Sequence, residues 1–302
     1  MPIINGMNND YVSYFPLEEY VKRIKLDSSV NDHHEETISL FNEYLSMLSE
    51  YDEDYVISYW IEMLYDEYVS SNEIENIDYN KINLTNDEIF FDNLRISKQR
   101  IHELHNFAVE DQYEPSFEFR KRPVNVSRYN EDGTEDIFWR GANVEDVDKF
   151  MSDFIKIYKN RDLSTLTNSP FLKSALIHLL FLRIHPYMDG NGRTARLLHN
   201  AKFTECINRQ CGTNLRISPL NLSHSILTYK EQYANIINQI YFDLEHDNSE
   251  AINKWFNFML NRVDDQINYS MFKLNDLDPS LARECQPNSL VRKMKIKNLL
   301  KK

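Results

Sequence analysis

The chain has 302 residues, 42% of them hydrophobic and 27% charged, with 6 Gly, 9 Pro, 3 Cys and a formal net charge of −13. That length buries a core without staples, Gly and Pro below their usual ~7% and ~5% exclude a turn-rich sandwich or barrel, and cysteines without a C-x-x-C pair exclude a disulfide framework or structural zinc. The negative charge is concentrated in residues 1–79, with 18 acidic against 3 basic side chains, which excludes a nucleic-acid backbone as direct partner because such binding needs a Lys/Arg stripe.

The first fifteen residues, MPIINGMNNDYVSYF, lack a basic stretch followed by an apolar run, so a cytoplasmic protein is expected. Helical spacing predicts amphipathic helices over 37–49, through Leu40, Phe41, Tyr44 and Leu48, and over 55–69, through Ile57, Trp60, Ile61, Leu64 and Tyr68. After the second, Ser71 is a candidate cap of a short further helix, with Glu75 one turn in. A helix is predicted over 86–110. Residues 117–140 change to two extended pieces around Asn130-Glu131-Asp132-Gly133, a β-hairpin pattern. Helices resume over 144–160, 170–184, 192–210, 222–244 and 249–265. The longest apolar run, residues 175–182, falls far short of the ~20 residues of a membrane span, so no membrane partner is expected. The last eleven residues carry six positive charges and no negative one.

Chemistry concentrates in residues 169–203. Ser169-Pro170 starts an apolar helix that Pro186 stops near His185. Asp189-Gly190-Asn191-Gly192 follows, then a second helix beginning near Arg193. Glycines at a helix mouth let an anion approach the free backbone N–H groups, where the helix dipole also favours it. Arg193 and Arg196 are three apart and share a face beside such an anion. Asp189 is a hard oxygen donor suited to Mg²⁺ shared with phosphate oxygens. His185 is the nearby group able to take a proton at neutral pH. Base, metal ligand, anion cradle and charge clamp are the parts of a phosphate-transfer site. The same glycines satisfy G-x-G-x-x-A formally, but a helix precedes them and no β-α alternation follows, so a dinucleotide-binding fold is rejected.

The run His185-Pro186-Tyr187-Met188-Asp189-Gly190-Asn191-Gly192-Arg193-Thr194-Ala195-Arg196 resembles the Fic motif, HxFx(D/E)GNGRxxR, of the Fic/Doc (Fido) family. Tyr187 stands for the usual Phe, and its hydroxyl needs a partner. Ser71-Asn72-Glu73-Ile74-Glu75-Asn76 is similar to the family's inhibitory motif (S/T)xxxE(G/N), in the class whose inhibitory helix is N-terminal; Ser71, Glu75 and Asn76 fill its fixed places.

The resemblance implies a mostly α, Fic-type helical bundle with a β-hairpin flap. It divides the chain into an N-terminal helical region (1–85) carrying the inhibitory helix, a catalytic core (86–265) and a basic tail (266–302). It implies transfer of AMP from ATP to a Tyr, Ser or Thr hydroxyl of a target protein docked along the flap by strand addition. His185 would be the base, Asp189 the Mg²⁺ ligand, and Gly190, Asn191 and Gly192 the cradle. Arg193 and Arg196 would hold the phosphates, with Glu75 on Arg196 restraining the enzyme. Ile137, Phe138 and Trp139 of the hairpin, and Tyr229, are candidate nucleotide contacts. Two rival readings stand beside this one: removal of AMP with Glu75 positioning a water, and a non-catalytic nucleotide-binding interaction module. The target and the oligomeric state, a homo-oligomer included, are open.

Overall fold

The computed structural model describes residues 11–77, 95–110, 112–129, 132, 134–160, 166 and 169–276. Ten α-helices and one two-stranded antiparallel sheet are found among them, so the expected mostly helical bundle with a hairpin is what the chain builds. The basic run 292–302 and residues 130, 131 and 133 of the predicted turn lie outside the described residues.

The centre is α6 (Pro170–Ile184), whose fifteen residues are all buried. A helix with apolar residues all round its axis has to be wrapped on every side. Ser169 caps it, its Oγ accepting from Leu172 N at 3.2 Å, and Pro170 stands in the first turn, where no N–H is needed. Against it packs α7 (Asn191–Cys211), with α5 (Val147–Lys159) and α10 (Ser249–Asp276) on other sides. Trp255 of α10 is fully buried and donates Nε1–H to Ala175 O at 3.1 Å, satisfying its polar atom inside the core.

The N-terminal helices are α1 (Leu17–Lys22), α2 (Ser28–Leu48) and α3 (Glu53–Ile74). They contribute Leu17, Tyr44, Leu48, Val56 and Trp60 to the same hydrophobic cluster as Leu176, Phe181 and Trp255. The stripe predicted over 37–49 begins earlier, at Ser28, because Asp27 caps Val30 N at 3.0 Å and the first turns are polar. The helix predicted over 55–69 runs on through Ser71, so Ser71 caps nothing; it lies inside α3, and Glu75 is the residue at its C-terminal cap. The polar run Ser70-Ser71-Asn72 resembles a start, yet Asn72 bonds back to Tyr68 O at 3.0 Å and the helix continues.

Of the helix predicted over 86–110, residues 86–94 lie outside the described residues and 95–97 are not helical; the helix is α4 (Lys98–Ala108), started by Ser97, whose Oγ accepts from Arg100 N at 3.1 Å. The hairpin is β1 (Asn125–Tyr129) and β2 (Glu135–Arg140); Val126 faces Trp139 and Ser127 faces Ile137, so Phe138 is an extra, bulged residue. The helix predicted over 222–244 is two, α8 (Ser223–Thr228) and α9 (Lys230–Asn238), broken at Tyr229 with φ −123 and ψ 28. The one predicted to end at 265 continues to Asp276, past the expected start of the tail. Among the described residues no helix is long and apolar enough to cross a membrane.

Candidate functional site

The site forms where α6 hands over to α7. His185 ends α6 in a left-handed conformation, φ 53 and ψ 63, with its N–H bonded to Phe181 O at 3.0 Å. A non-glycine residue there needs external support. Arg120 supplies it, donating Nε–H to His185 O at 2.7 Å and its backbone N–H to Pro186 O at 2.9 Å, while its Nη2 bonds Ala142 O. The imidazole is half-buried, and Nδ1 lies 3.2 Å from Leu182 O. A carbonyl only accepts, so Nδ1 carries the proton and the Nε2 lone pair is left to act. Burial pushes the pKa of His185 down to about 4, with the Leu182 contact opposing and the Arg120 charge adding; at neutral pH the ring is uncharged.

The following loop is fastened from within. Asn191, 2% exposed, accepts from Tyr187 N at 3.0 Å and donates to Tyr187 O at 2.9 Å. Its side chain therefore locks the turn instead of lining a cradle. Tyr187 is buried, stacks on His105 at 3.6 Å between centroids, and its hydroxyl lies 2.7 Å from His102 Nδ1. The hydroxyl that distinguishes this chain from the Phe pattern thus has its partner on α4. Gly190 adopts φ 74 at the cap of α7, and Val109 stands so close that any side chain there would collide with it. Asp189 accepts from Gly190 N at 2.7 Å through Oδ1 and from the Tyr113 hydroxyl at 2.8 Å through Oδ2.

Both arginines are buried. Arg193 donates to Gln112 Oε1 at 2.8 Å and lies 3.8 Å from Asp189 Oδ2; burial lowers its pKa. Arg196, 2% exposed, donates Nε–H to Ser71 Oγ at 2.9 Å, and Nη2–H to Ser71 O at 2.8 Å and Glu75 Oε1 at 2.9 Å. The Glu75 carboxylate rests on Gly192: a Cβ on that glycine would overlap Oε1 and come within 3.2 Å of Cδ. The helix end that delivers it is a Schellman turn. Asn76, with φ 56, bonds Glu73 O at 3.0 Å, and Ile77 N bonds Asn72 O at 3.1 Å. The third fixed place of the 71–76 motif is therefore a left-handed position, open to Gly or Asn for steric reasons. The Asn76 side chain accepts from Lys230 Nζ at 2.9 Å.

The structure thus brings together His185, Asp189, Gly190, Gly192, Arg193, Arg196, Ser71 and Glu75. It treats the candidate nucleotide contacts differently. Trp139 is 4% exposed, edge-on to His185 at 6.4 Å and against the Arg183 guanidinium at 5.6 Å, so it is core packing beneath the histidine. Ile137 and Phe138 are half-buried on β2. Tyr229 is exposed and its ring meets the Arg262 guanidinium at 3.5 Å, so α10, not the Fic motif, holds that face. Sequence reasoning missed Tyr113, Gln112, Arg120 and Glu67. Glu67, 5% exposed, accepts from Ser223 N and Oγ at 2.6 and 2.7 Å and from Asn200 at 2.9 Å, pinning α3 to α8 and α7. Its position one turn before Ser71 on the buried face of α3 was the one available signal.

A family model, Fic/DOC family, matches residues 95–201. Residues 95–201 form a Fic/DOC family domain. Two relatives of this Fic protein are adenylyltransferases by name. Protein adenylyltransferase fic-1 of Caenorhabditis elegans is 54% identical over 39 residues, which are 13% of this chain and 8% of that protein. Protein adenylyltransferase Fic of Nematostella vectensis is 46% identical over 57 residues, 19% of this chain and 13% of that protein. The matched stretches are thus a small part of either relative. A Fic family protein from Desulfovibrio desulfuricans aligns with TM-score 0.53 at 14% identity, over 95% of this chain and 86% of that one. A Fic domain containing signaling protein from Bacteroides thetaiotaomicron aligns with TM-score 0.52 at 18% identity, over 78% and 95%. Both share the fold.

Proposed function

We propose that this Fic protein is a protein adenylyltransferase, moving AMP from ATP to a Tyr, Ser or Thr hydroxyl of a target protein and of itself, and held in check by Glu75 on Arg196. One observation carries the reading: an internal carboxylate already sits at the glycine-opened mouth of α7, on a buried arginine whose other contacts are neutral. A place that holds one anion so closely is built for anions.

The target hydroxyl approaches His185 Nε2, which takes its proton as the oxygen attacks the α-phosphorus. The bond to the β-phosphate oxygen breaks and pyrophosphate leaves. A base held near pKa 4 by burial is uncharged but weak; the negative charge of a bound triphosphate raises that pKa and strengthens it. Arg193 and Arg196 neutralise the phosphates, and the α7 mouth positions them. Among the described residues no cluster of three His, Cys, Asp or Glu is present. One carboxylate, Asp189, fits Mg²⁺ that arrives on nucleotide phosphates, because this ion commonly takes one or two protein carboxylates and leaves its other positions to phosphate and water. Mg²⁺ would supply charge neutralisation on the α- and β-phosphates.

The restraint is competitive. Arg196 cannot pair fully with both the γ-phosphate and Glu75, so the resting enzyme is mostly off. The test incubates the chain with labelled ATP: Glu75→Gly is expected to label itself more than the parent, and His185→Ala not at all. Labelling of Glu75→Gly no stronger than the parent removes the restraint from the reading, and labelling of His185→Ala removes the chemistry. Release of free AMP from a modified target, dependent on Glu75, would instead favour hydrolysis, a reading supported by the position of that carboxylate inside the site.

A further inference from the structure

Beyond α4 the chain turns back on itself, with Gln112 N and Tyr113 N both bonded to Val109 O, at 2.8 and 3.1 Å. The turn lies directly on the α6–α7 loop. Val109 packs on Gly190, and His105 Nε2 meets Asp189 O at 3.0 Å. From this base two adjacent side chains reach two charged groups of the motif. Gln112 Oε1 takes a hydrogen bond from buried Arg193, and the Tyr113 hydroxyl gives one to Asp189 Oδ2.

The Tyr113 ring is 53% exposed. Little burial holds the phenol in place; the hydrogen bond to Asp189 does. Asp189 has one oxygen, Oδ1, on Gly190 N; the other, Oδ2, which a cation on arriving phosphates would have to reach, accepts the phenol's hydrogen bond and lies 3.8 Å from Arg193. A proton and a divalent cation compete for that oxygen's electron density.

We infer that Gln112 and Tyr113 form a second latch, independent of Glu75, in which Tyr113 guards Asp189 against the cation and Gln112 guards Arg193 against phosphate. This rests on the adenylyltransferase reading, since it presumes that Mg²⁺ and ATP seat between these groups. The two latches act on different charges. Glu75 withholds Arg196; the 112–113 pair withholds Asp189 and Arg193. Removing Glu75 alone leaves the cation side closed, and full release needs both.

Calorimetric titration of the full chain with ATP, in Mg²⁺ and in EDTA, tests the latch on the Glu75→Gly background. Tyr113→Phe is expected to tighten ATP about fivefold in Mg²⁺, the order of one ordinary hydrogen bond at a solvent-exposed site, and to leave the EDTA value in place. Gln112→Ala is expected to tighten ATP by about twofold in both buffers. An unchanged or weaker affinity of Tyr113→Phe in Mg²⁺ overturns the inference and makes the phenol a support of Asp189. Because Tyr113 is exposed, the variant is expected to melt with the parent. If no variant binds ATP in either buffer, the adenylyltransferase reading falls and the latch with it. Binding that responds to Glu75→Gly but not to Tyr113→Phe overturns the latch alone.

Discussion

Gly192→Ala separates two effects that Glu75→Gly leaves merged. The added methyl would overlap Glu75 Oε1, stand 3.2 Å from its Cδ and 3.3 Å from Arg196 Nη1. The first two contacts are with the far end of a flexible side chain that is 36% exposed, so the carboxylate swings outward into water. Gly192 lies in α7, where alanine is favoured over glycine by about 0.8–1 kcal/mol. Losing a partly exposed ion pair costs about 1 kcal/mol, and Arg196 keeps its two bonds to Ser71. The two terms nearly cancel, so the melting temperature is expected to stay within a few degrees of the parent. Both substitutions free Arg196 from Glu75. Only Gly192→Ala leaves a methyl where the carboxylate was. If that volume is the anion seat, ATP affinity by calorimetry rises in Glu75→Gly and falls below the parent in Gly192→Ala, with self-labelling following the same order. Equal ATP affinities in the two variants would refute the argument that anion and carboxylate share one place.

Tyr187→Phe removes the 2.7 Å bond to His102 between two buried groups; a loss of about 1–3 kcal/mol is expected, read as a lower melting temperature by calorimetry, and an unchanged transition would contradict it. Glu67→Gln keeps the shape but turns an NH₂ toward the donors of Ser223 and Asn200. Amides of residues 70–75 are then expected to exchange with solvent roughly tenfold faster, and equal exchange would remove Glu67 as the anchor of α3. Burial lowers the pKa of His199 to about 3 and that of His178 well below its ordinary value. Both are uncharged in the folded chain while their unfolded counterparts protonate below pH 6.5. Stability is therefore retained above pH 6.5 and lost as pH falls toward 3, by up to about 5 kcal/mol for His199 alone. A melting temperature flat from pH 7 to pH 4 would show that these imidazoles are not held neutral.

Much of the site was legible because its parts are local. His185 to Arg196 are twelve consecutive residues, and proline, glycine and periodicity mark both helices and the loop between them. The hairpin showed for the same reason, through alternation around a turn-rich centre. What failed was of two kinds. Helix ends were misread where polar residues continue a helix, as at Ser28 and Ser71, since spacing of apolar residues cannot mark a polar first or last turn. Tertiary contacts were invisible because no spacing encodes them. Tyr113 meets Asp189 from 76 residues away, Glu67 meets Ser223 from 156, and Arg120 meets His185 from 65. Trp139 was ambiguous for another reason: an aromatic on a strand reads alike whether it faces a ligand or the core, and here the ring is 4% exposed beside His185.

The proposed restraint involves more than one ion pair, because two helix ends of opposite sign meet at it. The mouth of α7 presents free N–H groups, the positive end of its dipole, beside Arg196. The closing turn of α3 presents the reverse. Its cap N–H groups fold back to Asn72 and Glu73, which leaves Ser71 O for Arg196, and the next group in line is the Glu75 carboxylate. The end of α3 thus offers the arginine a carbonyl, a hydroxyl and a carboxylate in one turn, a neutral-plus-charged set that, on the proposed function, a triphosphate would have to outbid with greater charge alone. Three consequences follow from that geometry. Moving Glu75 weakens the restraint without dissolving it, because Ser71 still holds Arg196. Unwinding the last turn of α3 removes all three contacts together. A physiological release is therefore expected to act on that turn, through Asn76 and Lys230 or through the Glu67 anchor, before it acts on the carboxylate itself.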